Sequence, residues 1–360
     1  MAQLGFGFLR LPFSGENVDF PLLCQLVDTF LENGGTYFDT GYTYLDGLCE
    51  EMLCKALVQR HPRDHFQIAT KLPGYRVNSY EDCFRYFEES AKRCGVDYFD
   101  TYMLHWLDEK HYALAEKYRE FDFLQELKRS GKAKRIGFSF HDTADLLDKI
   151  LTAHPEVDCV LLQINYLDWD SPAIQSRQCY EVAMRHGKTI LVMEPVKGGR
   201  LTKIPEAAAQ VLQTLDPSLS PAAHAIRFVK SLPGVDTVLS GMNSMVQLQE
   251  NQRSYPPLSD LEMRTMASAA QIIRSSVAVA CTGCDYCKSA CSMQIPISQC
   301  FCMYNEYLLY PRHQWKIVPA YKLLPVKASA CIGCESCQDH CPQKLPIAEH
   351  MRQVKDALEV

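Results

Sequence analysis

The sequence lacks the features that mark membrane, secreted and nucleic-acid-binding proteins. Its 360 residues contain no apolar run long enough to cross a bilayer. The N-terminal stretch has no basic segment ahead of an apolar one, so it is not typical of a signal peptide. The formal net charge of −6 and the pI of about 6.0 give no basic footprint for nucleic acid. We therefore expect a cytoplasmic globular protein that binds neither membrane nor nucleic acid.

A glycine-rich dinucleotide-binding turn is missing as well. An open, doubly wound sheet would carry G-x-G-x-x-G after an early strand, and the sequence contains none. It has instead eight short runs rich in β-branched and aromatic residues, which alternate with segments of helical period. The predicted strands are Gly5–Phe8, Tyr37–Thr40, Gln67–Lys71, Phe99–Leu104, Arg135–Ser139, Val160–Ile164, Thr189–Met193 and Thr237–Ser240. This alternation predicts an α/β fold, a (β/α)8 TIM barrel over residues 1–253.

Cysteine is abundant: the chain has 17, and eight of them form two runs with the same C-x2-C-x2-C-x3-C spacing. Bacterial-type ferredoxins hold two 4Fe-4S clusters with this spacing, and the fourth cysteine of each run ligates the other cluster. The predicted ligands of the first cluster are Cys281, Cys284, Cys287 and Cys341. The predicted ligands of the second cluster are Cys331, Cys334, Cys337 and Cys291.

Other uses of these cysteines fit less well. Disulfides are rare in a reducing cytoplasm, and zinc sites use pairs of cysteines rather than three at one interval. The first run also departs from the ferredoxin pattern, because Ser292 follows its last cysteine where the second run has Pro342. We expect residues 277–360 to form a small ferredoxin-like α+β domain with two 4Fe-4S clusters, joined to the barrel by a linker and helix at 254–276.

Polar residues with complementary chemistry follow three neighbouring strands of the predicted barrel. Asp39 lies at the end of the second predicted strand and Tyr44 follows it, Lys71 ends the third strand and His105 follows the fourth. Catalytic residues of such barrels lie at the C-terminal ends of strands. A lysine ammonium held by an aspartate should lower the pKa of a nearby phenol, which could then protonate a carbonyl oxygen. A histidine could orient that carbonyl.

These motifs resemble those of the aldo-keto reductase family, from about Leu4 to Asn251. The motifs that carry the resemblance are Leu-Gly-Phe-Gly at 4–7, Phe-Asp-Thr-Gly-Tyr-Thr-Tyr at 38–44, Ala-Thr-Lys at 69–71, Asp-Tyr-Phe-Asp-Thr-Tyr-Met-Leu-His at 97–105, Ile-Gly-Phe-Ser at 136–139 and Leu-Ser-Gly-Met at 239–242. The resemblance implies that Asp39, Tyr44, Lys71 and His105 are catalytic. The interval of five from Asp39 favours Tyr44 over Tyr42. The whole chain looks like the iron–sulfur branch of this family.

The resemblance also implies a site for NADH or NADPH. The implied contacts are Ser139, Gln163 and Met193 at the nicotinamide, and Ser240, Gly241, Asn243, Glu250 and Asn251 at the phosphates and adenine. Three positions depart from the family pattern, since Phe140 replaces an asparagine, Met193 a tyrosine and Gln247 a basic residue. The 2′-phosphate of NADPH is best held by a bidentate arginine. An uncharged Gln247 at this position therefore favours NADH.

Three functional hypotheses follow. In the first, the barrel reduces a small-molecule carbonyl with NAD(P)H, or catalyses the reverse reaction, and the clusters are structural. In the second, the clusters relay electrons between a ferredoxin or other redox partner and the barrel. In the third, the barrel has lost catalysis and the protein is an electron-transfer or docking module. We rank them in that order, because the four catalytic residues are intact.

Overall fold

Eight parallel strands close into a barrel. The structure is a computed structural model that describes residues 2–171, 174–309 and 314–359. The strands are β1 Gln3–Gly7, β2 Tyr37–Asp39, β3 Gln67–Leu72, β4 Phe99–Leu107, β5 Ala133–Phe140, β6 Cys159–Gln163, β7 Thr189–Met193 and β8 Val235–Ser240. Each strand pairs with the next along the chain, and β1 pairs with β8 as well as with β2. The predicted TIM barrel is confirmed, and all eight predicted runs form strands.

Helices follow most of the strands, and a short hairpin of Phe13–Ser14 and Asn17–Val18 follows β1. The helices are α1 Phe20–Glu32, α2 Leu48–Leu53, α3 Tyr80–Cys94, α4 Glu109–Lys117, α5 Glu120–Arg129, α6 Ala144–Ala153, α7 Ser176–Arg185, α8 Glu206–Gln213, α9 Pro221–Lys230, α10 Met245–Gln252, α11 Asp260–Ser276, α12 Ile297–Leu309, α13 Gln314–Lys322 and α14 Ile347–Leu358. Side-chain caps begin several of them: Asp19 accepts from the backbone of Leu22 at α1, and Ser79 from that of Asp82 at α3. Among the described residues, no helix combines the length and apolarity that a membrane span needs.

The barrel interior is filled by side chains from alternate strand positions. One buried cluster contains Tyr37, Ala69, Met103, Leu161, Leu191 and Leu239, together with Cys159, which precedes Leu161 by two residues. Because side chains alternate along a strand, the residue two positions later reaches the same interior face, one layer nearer the C-terminal end. Those later residues are Asp39, Lys71, His105, Gln163, Met193 and Gly241. The fold therefore places many of the predicted site residues in one layer directly above the buried cluster, which we call the apolar plug.

The chain divides into two compact units. The first contains the described residues of Met1–Ser171, Gln175–Pro195 and Ala222–Ser259, and the second includes Val196–Pro221 and the described part of Asp260–Val360. Residues 196–221 follow β7 and were assigned to the barrel domain by the sequence analysis. Within the second unit they contribute α8, which packs against α11.

The second unit is built of helices and turns. Residues 281–300 and 331–350 have the same succession of turns and the same helix start, 50 positions apart. Equivalent positions even share left-handed backbone: Gly283 and Gly333, Asp285 and Glu335, Gln294 and Lys344. Among the described residues of 277–359 there is no strand, so the α+β character predicted for this region is not found there. The short turns that present the cysteines leave no extended segment to pair.

Candidate active site

A buried ion pair forms the base of the candidate active site. The Lys71 ammonium donates to Asp39 Oδ1 at 2.7 Å, to Asp39 Oδ2 at 2.9 Å and to the carbonyl of Thr40 at 2.6 Å. These bonds engage all three N–H donors of the ammonium. Burial raises the pKa of the Asp39 carboxyl, and the adjacent Lys71 charge opposes that rise. The pair places a fixed cation beneath the neighbouring aromatic ring.

That ring belongs to Tyr44. The Lys71 nitrogen lies 5.0 Å from the centre of the Tyr44 ring, and the His105 ring meets the same ring edge to face at 5.7 Å. A Cβ atom added to Gly41 would lie 3.1 Å from the phenol ring, so glycine there makes room for it. The structure therefore brings together the four residues predicted to be catalytic.

The pKa of Tyr44 differs from the expectation. Burial raises the pKa of this phenol well above its usual value, and the charge of Asp39 raises it further. The sequence analysis predicted that Lys71 would lower this pKa. The structure gives the opposite direction because the phenol is buried and lies near the charge of Asp39, while the donors of Lys71 are directed to Asp39 and Thr40. The phenol is therefore protonated at neutral pH.

The imidazole of His105 is neutral. Burial lowers the pKa of His105 well below its usual value, and the charge of Lys71 lowers it further. Its Nδ1 atom is buried and has no hydrogen-bond partner within the described residues. A neutral imidazole carries one N–H donor and one acceptor. His105 can thus hydrogen-bond to a polar atom of a bound molecule.

The loop that carries Tyr44 has a strained backbone and packs against Arg93. Leu45, Asp46 and Gly47 are all left-handed, with φ of 46°, 54° and 93°, a conformation that is costly for a leucine. Arg93 packs against Gly47, where a Cβ atom would lie 2.8 Å from the guanidinium. Glycine at 47 thus lets Arg93 support this loop. The composition of the loop alone did not signal this strain.

The alternative tyrosine has a different environment. The Tyr42 hydroxyl donates to Glu89 at 2.5 Å, and the Arg93 guanidinium lies 4.3 Å above its ring. Arg93 in turn contacts the buried carboxylate of Glu50 at 3.4 Å. These contacts are those of an anchored structural side chain. The geometry supports the choice of Tyr44 over Tyr42.

The predicted nicotinamide contacts lie at the ends of adjacent strands. The Ser139 hydroxyl accepts a 2.7 Å hydrogen bond from the backbone of Trp106, which has a φ of 63°. The Gln163 amide nitrogen is buried with no hydrogen-bond partner among the described residues, so it can donate to a bound carboxamide. Met193 packs against the apolar plug of the barrel.

The predicted phosphate and adenine contacts gather where β8 meets α10. The Asn251 side chain donates to the Ser240 hydroxyl at 3.2 Å. The Gln247 carbonyl oxygen accepts from the backbone of Asn243 at 2.9 Å. Gly241 lies beside Arg10, because a Cβ atom added there would be 3.1 Å from the arginine Cβ. The remaining predicted contact, Glu250, lies on α10.

Aromatic and histidine side chains surround Tyr44 and His105. The Tyr75 ring lies 6.1 Å from the His105 ring and 5.9 Å from that of His111. The Trp106 ring lies 5.3 Å from that of His141. The sequence analysis did not identify the two histidines, because their positions depend on loop conformation. Trp169 packs against Tyr180 and Phe228.

The second unit contains two cavities lined by cysteines. One cavity is lined by Cys281, Cys284, Cys287 and Cys341 among others. The other is lined by Cys291, Cys331, Cys334 and Cys337 among others. Each cavity thus combines three cysteines of one run with the last cysteine of the other run. This is the grouping that the spacing predicted.

The thiols of each set are spread around their cavity. Burial raises the pKa of Cys287, and the charges of Cys284, Cys281 and Cys341 raise it further. Nowhere in the described parts of the chain do three His, Cys, Asp or Glu side chains come close enough to hold a single metal ion.

The second-unit thiols form no disulfide among the described residues. A left-handed glycine, Gly283 or Gly333, sits between the first two cysteines of each run. The backbone of Gly283 donates toward the Cys281 sulfur at 3.4 Å. Hydrogen bonds to cluster sulfurs are among the factors that set a cluster's properties.

Comparison with known proteins agrees with the fold. A model of the aldo/keto reductase family matches residues 3–271, which end before the first cysteine run. The chain is 28% identical over 209 residues to an aldo-keto reductase of Mycobacterium avium (strain 104), covering 57% of this chain and 65% of that protein. It is 28% identical over 250 residues to L-galactose dehydrogenase of Arabidopsis thaliana, covering 64% of this chain and 76% of that protein.

Solved structures show the same architecture. The holo form of an aldo-keto reductase from Bacillus halodurans superimposes with a TM-score of 0.62 at 23% identity, over 74% of this chain and 91% of that one. An aldo/keto reductase from Klebsiella pneumoniae in complex with NADP and acetate gives 0.60 at 20% identity, over 74% and 90%. With the family match over most of its length and the closed eight-stranded barrel, this chain belongs to the aldo/keto reductase family.

Proposed function

We propose that the barrel reduces an aldehyde or ketone to an alcohol, or catalyses the reverse reaction, with NAD(P)H as hydride donor and Tyr44 as general acid. The observation that carries the proposal is the convergence of Tyr44, Lys71, Asp39 and His105 at one end of the barrel. A bound nicotinamide would supply the hydride. The protein's own residues then have to orient the carbonyl and deliver a proton to its oxygen.

The proton comes from the phenol of Tyr44. Its raised pKa keeps it protonated before reaction. The phenol is nevertheless a stronger acid than the alcohol that forms, so proton transfer is favourable once negative charge develops on the carbonyl oxygen. Lys71, fixed beneath the ring, stabilises the phenolate that is left. Asp39 keeps this lysine in place.

The neutral imidazole of His105 fixes the substrate. A buried imidazole with a low pKa does not compete as a proton source, but its N–H can donate a hydrogen bond to the carbonyl oxygen. The buried amide of Gln163 and the hydroxyl of Ser139 would hold the carboxamide of the nicotinamide. Met193 would contact its ring through a polarisable thioether. NADH is the expected preference because Gln247, engaged with the Asn243 backbone, offers no positive charge.

The test is kinetic. Anaerobically prepared protein is titrated with NADH and NADPH against a panel of aldehydes and ketones. Tyr44→Phe should lower kcat on the order of 10²-fold or more. Tyr42→Phe, which removes the neighbouring phenol that faces Glu89, should lower it far less. Equal activity of the wild type and Tyr44→Phe would rule out the proposed acid.

We further propose that the second unit binds two 4Fe-4S clusters. The support is the crossed grouping of the eight cysteines into two cavities, each with four thiols from both runs. The cluster of the first cavity would be held by Cys281, Cys284, Cys287 and Cys341, and that of the second by Cys331, Cys334, Cys337 and Cys291. Such clusters supply one-electron chemistry, which favours a ferredoxin or similar carrier as redox partner.

Iron analysis tests this second proposal. Protein reconstituted anaerobically should hold about eight irons per chain and give the spectra of 4Fe-4S centres. Binding of about one ion per cavity, or of zinc in place of iron, would contradict it.

A further inference from the structure

A buried acid links the strand that carries Lys71 to a charged side chain behind the Tyr44 loop. Glu50, on α2, is fully buried, and its carboxylate accepts a hydrogen bond from the Thr70 hydroxyl at 2.8 Å. Thr70 immediately precedes Lys71 on β3. The other oxygen of the Glu50 carboxylate lies 3.4 Å from the guanidinium of Arg93, on α3. The position of Arg93 is therefore tied to that of β3.

Arg93 contacts the Tyr44 loop at two points. Its Nη1 atom donates to the carbonyl of Tyr42 at 3.3 Å, and the guanidinium lies 4.3 Å from the centre of the Tyr42 ring. A Cβ atom added to Gly47 would lie 2.8 Å from the same Nη1 atom. Tyr42 precedes Tyr44 by two residues and Gly47 follows it by three. Arg93 thus packs against the loop on both sides of the phenol.

The loop needs contacts of this kind because its backbone is strained. Left-handed conformations of non-glycine residues persist only where the surrounding structure enforces them. Leu45, which has a φ of 46°, is 43% exposed, so its own side chain gains little from packing. The contacts of Arg93 with Tyr42 and Gly47 restrain the backbone on either side of Leu45 instead.

We propose that Arg93 is a positioning residue of the candidate active site, which bridges Glu50 to the Tyr44 loop and thereby fixes the phenol relative to Lys71. The inference rests on the function proposed above, because it gives Arg93 a part in proton transfer from Tyr44. Without the guanidinium, the loop is free to leave its left-handed conformation. A displacement of about 1 Å caused by a remote substitution can cost on the order of 10²-fold in rate.

Arg85 offers a matched control on the same helix. Its guanidinium lies 4.2 Å from the centre of the Tyr86 ring and pairs with Asp82 at 2.7 Å and with Glu89 at 3.2 Å. Like Arg93, it therefore combines an aromatic contact with an ion pair. All three of these partners belong to α3 itself, so Arg85 does not contact the Tyr44 loop through them.

The kinetic test compares three variants of the full-length protein. Arg93→Met should lower kcat for carbonyl reduction about tenfold or more, with the KM for the nicotinamide unchanged. Arg93→Lys keeps a positive charge near Glu50 but lacks the fork of donors that reaches two acceptors, so its kcat should lie between those of the wild type and Arg93→Met. Arg85→Met should keep the wild-type kcat. If Arg93→Met does not fold, Arg93→Lys serves for the same comparison.

Two kinetic outcomes would overturn the inference. One is an equal kcat in the Arg93 and Arg85 variants. The other is a rise in the KM for the nicotinamide that matches the fall in kcat, since a general loss of structure would affect both.

Hydrogen exchange measures the loop independently of catalysis. The backbone amides of Tyr44 and Asp46 donate hydrogen bonds within the loop. In Arg93→Met, residues 41–48 should exchange about tenfold faster or more, as expected for loss of a hydrogen bond to a charged group, while the barrel strands keep their exchange rates. Arg85→Met should leave residues 41–48 unchanged. Wild-type exchange at 41–48 in Arg93→Met would contradict the proposed restraint.

The two measurements separate this inference from the function on which it rests. A wild-type protein that reduces no member of the carbonyl panel contradicts the proposed function. An active wild type together with an Arg93→Met variant of normal kcat overturns the positioning role alone, even where the loop exchanges faster.

Discussion

The two units of the chain place their reactive side chains by different means. In the barrel, backbone hydrogen bonds between strands set the register, so Asp39, Lys71 and His105 reach one layer because each lies two residues beyond a plug residue. In the second unit, turns present the cysteines, and three of the predicted ligands, Cys287, Cys337 and Cys341, line the two cavities from within the apolar core. The candidate site of the barrel thus consists of side chains that contact one another, whereas the cysteines of the second unit line two separate cavities.

The largest expected effect is loss of the clusters. Metal–thiolate binding can contribute on the order of 10 kcal/mol to the folding of a small metal-bound domain. Chelated protein should therefore lose the thermal transition of the second unit and keep that of the barrel. Calorimetry of the loaded and chelated full chain measures both.

The matched variants for this prediction replace two buried cysteines of the same apolar core by alanine. Cys287→Ala should lower the iron content, whereas Cys300→Ala should leave it unchanged, because Cys300 lines neither cavity. If both units melted together whatever the iron content, the proposed contrast between them would be wrong.

The next effect concerns the buried ion pair of the barrel. Lys71→Met leaves the Asp39 carboxylate buried without its partner, which should lower the free energy of unfolding by about 3–5 kcal/mol. Urea denaturation of the barrel measures this change. The double variant Lys71→Met, Asp39→Leu removes both charges and should recover much of the loss. A double variant no more stable than the single one would show that the penalty does not come from the unpaired charge.

A smaller effect should appear in the pH dependence of barrel stability. Burial raises the pKa of Glu120 from its usual value of 4.5 to about 8, and neither carboxylate oxygen has a partner among the described residues. Between these pKa values the folded state binds more protons than the unfolded state, so stability falls as the pH rises through that window. Glu120→Gln should remove this loss, on the order of a few kcal/mol. Chemical denaturation at several pH values measures it, with Glu126→Gln on the exposed face of α5 as the unaffected control.

The smallest effect is expected from a substitution at Ser139 in the candidate nicotinamide site. Ser139→Ala removes the hydroxyl that accepts from the Trp106 backbone. The free energy of unfolding should fall by about 1 kcal/mol, and the KM for the nicotinamide should rise. Ser139→Thr, which keeps a hydroxyl, should preserve more of both. A normal KM in Ser139→Ala would remove this residue from the site.

Much of the fold and of the candidate sites could be predicted from short segments of the sequence. The alternation of apolar strands and amphipathic helices gave the barrel because each segment has to bury one face. The interval from Asp39 to Tyr44 selected the tyrosine whose ring lies over Lys71, and the spacing of the cysteines predicted two sets of four, each of which lines one cavity. These features depend on the geometry of neighbouring residues in the chain, which the order of residues dictates.

Other features required the tertiary structure. The raised pKa of Tyr44 arises first from burial of the phenol and then from the charge of Asp39, and both depend on the folded barrel. The union of residues 196–221 with the second unit and the unequal exposure of Ile332 and Thr282 arise from packing between distant segments. The sequence alone determined which groups face one barrel end and which thiols form a set. Only the folded chain decided their charge states and exposure, because burial and the electric field at a residue are summed over neighbours that are remote in sequence.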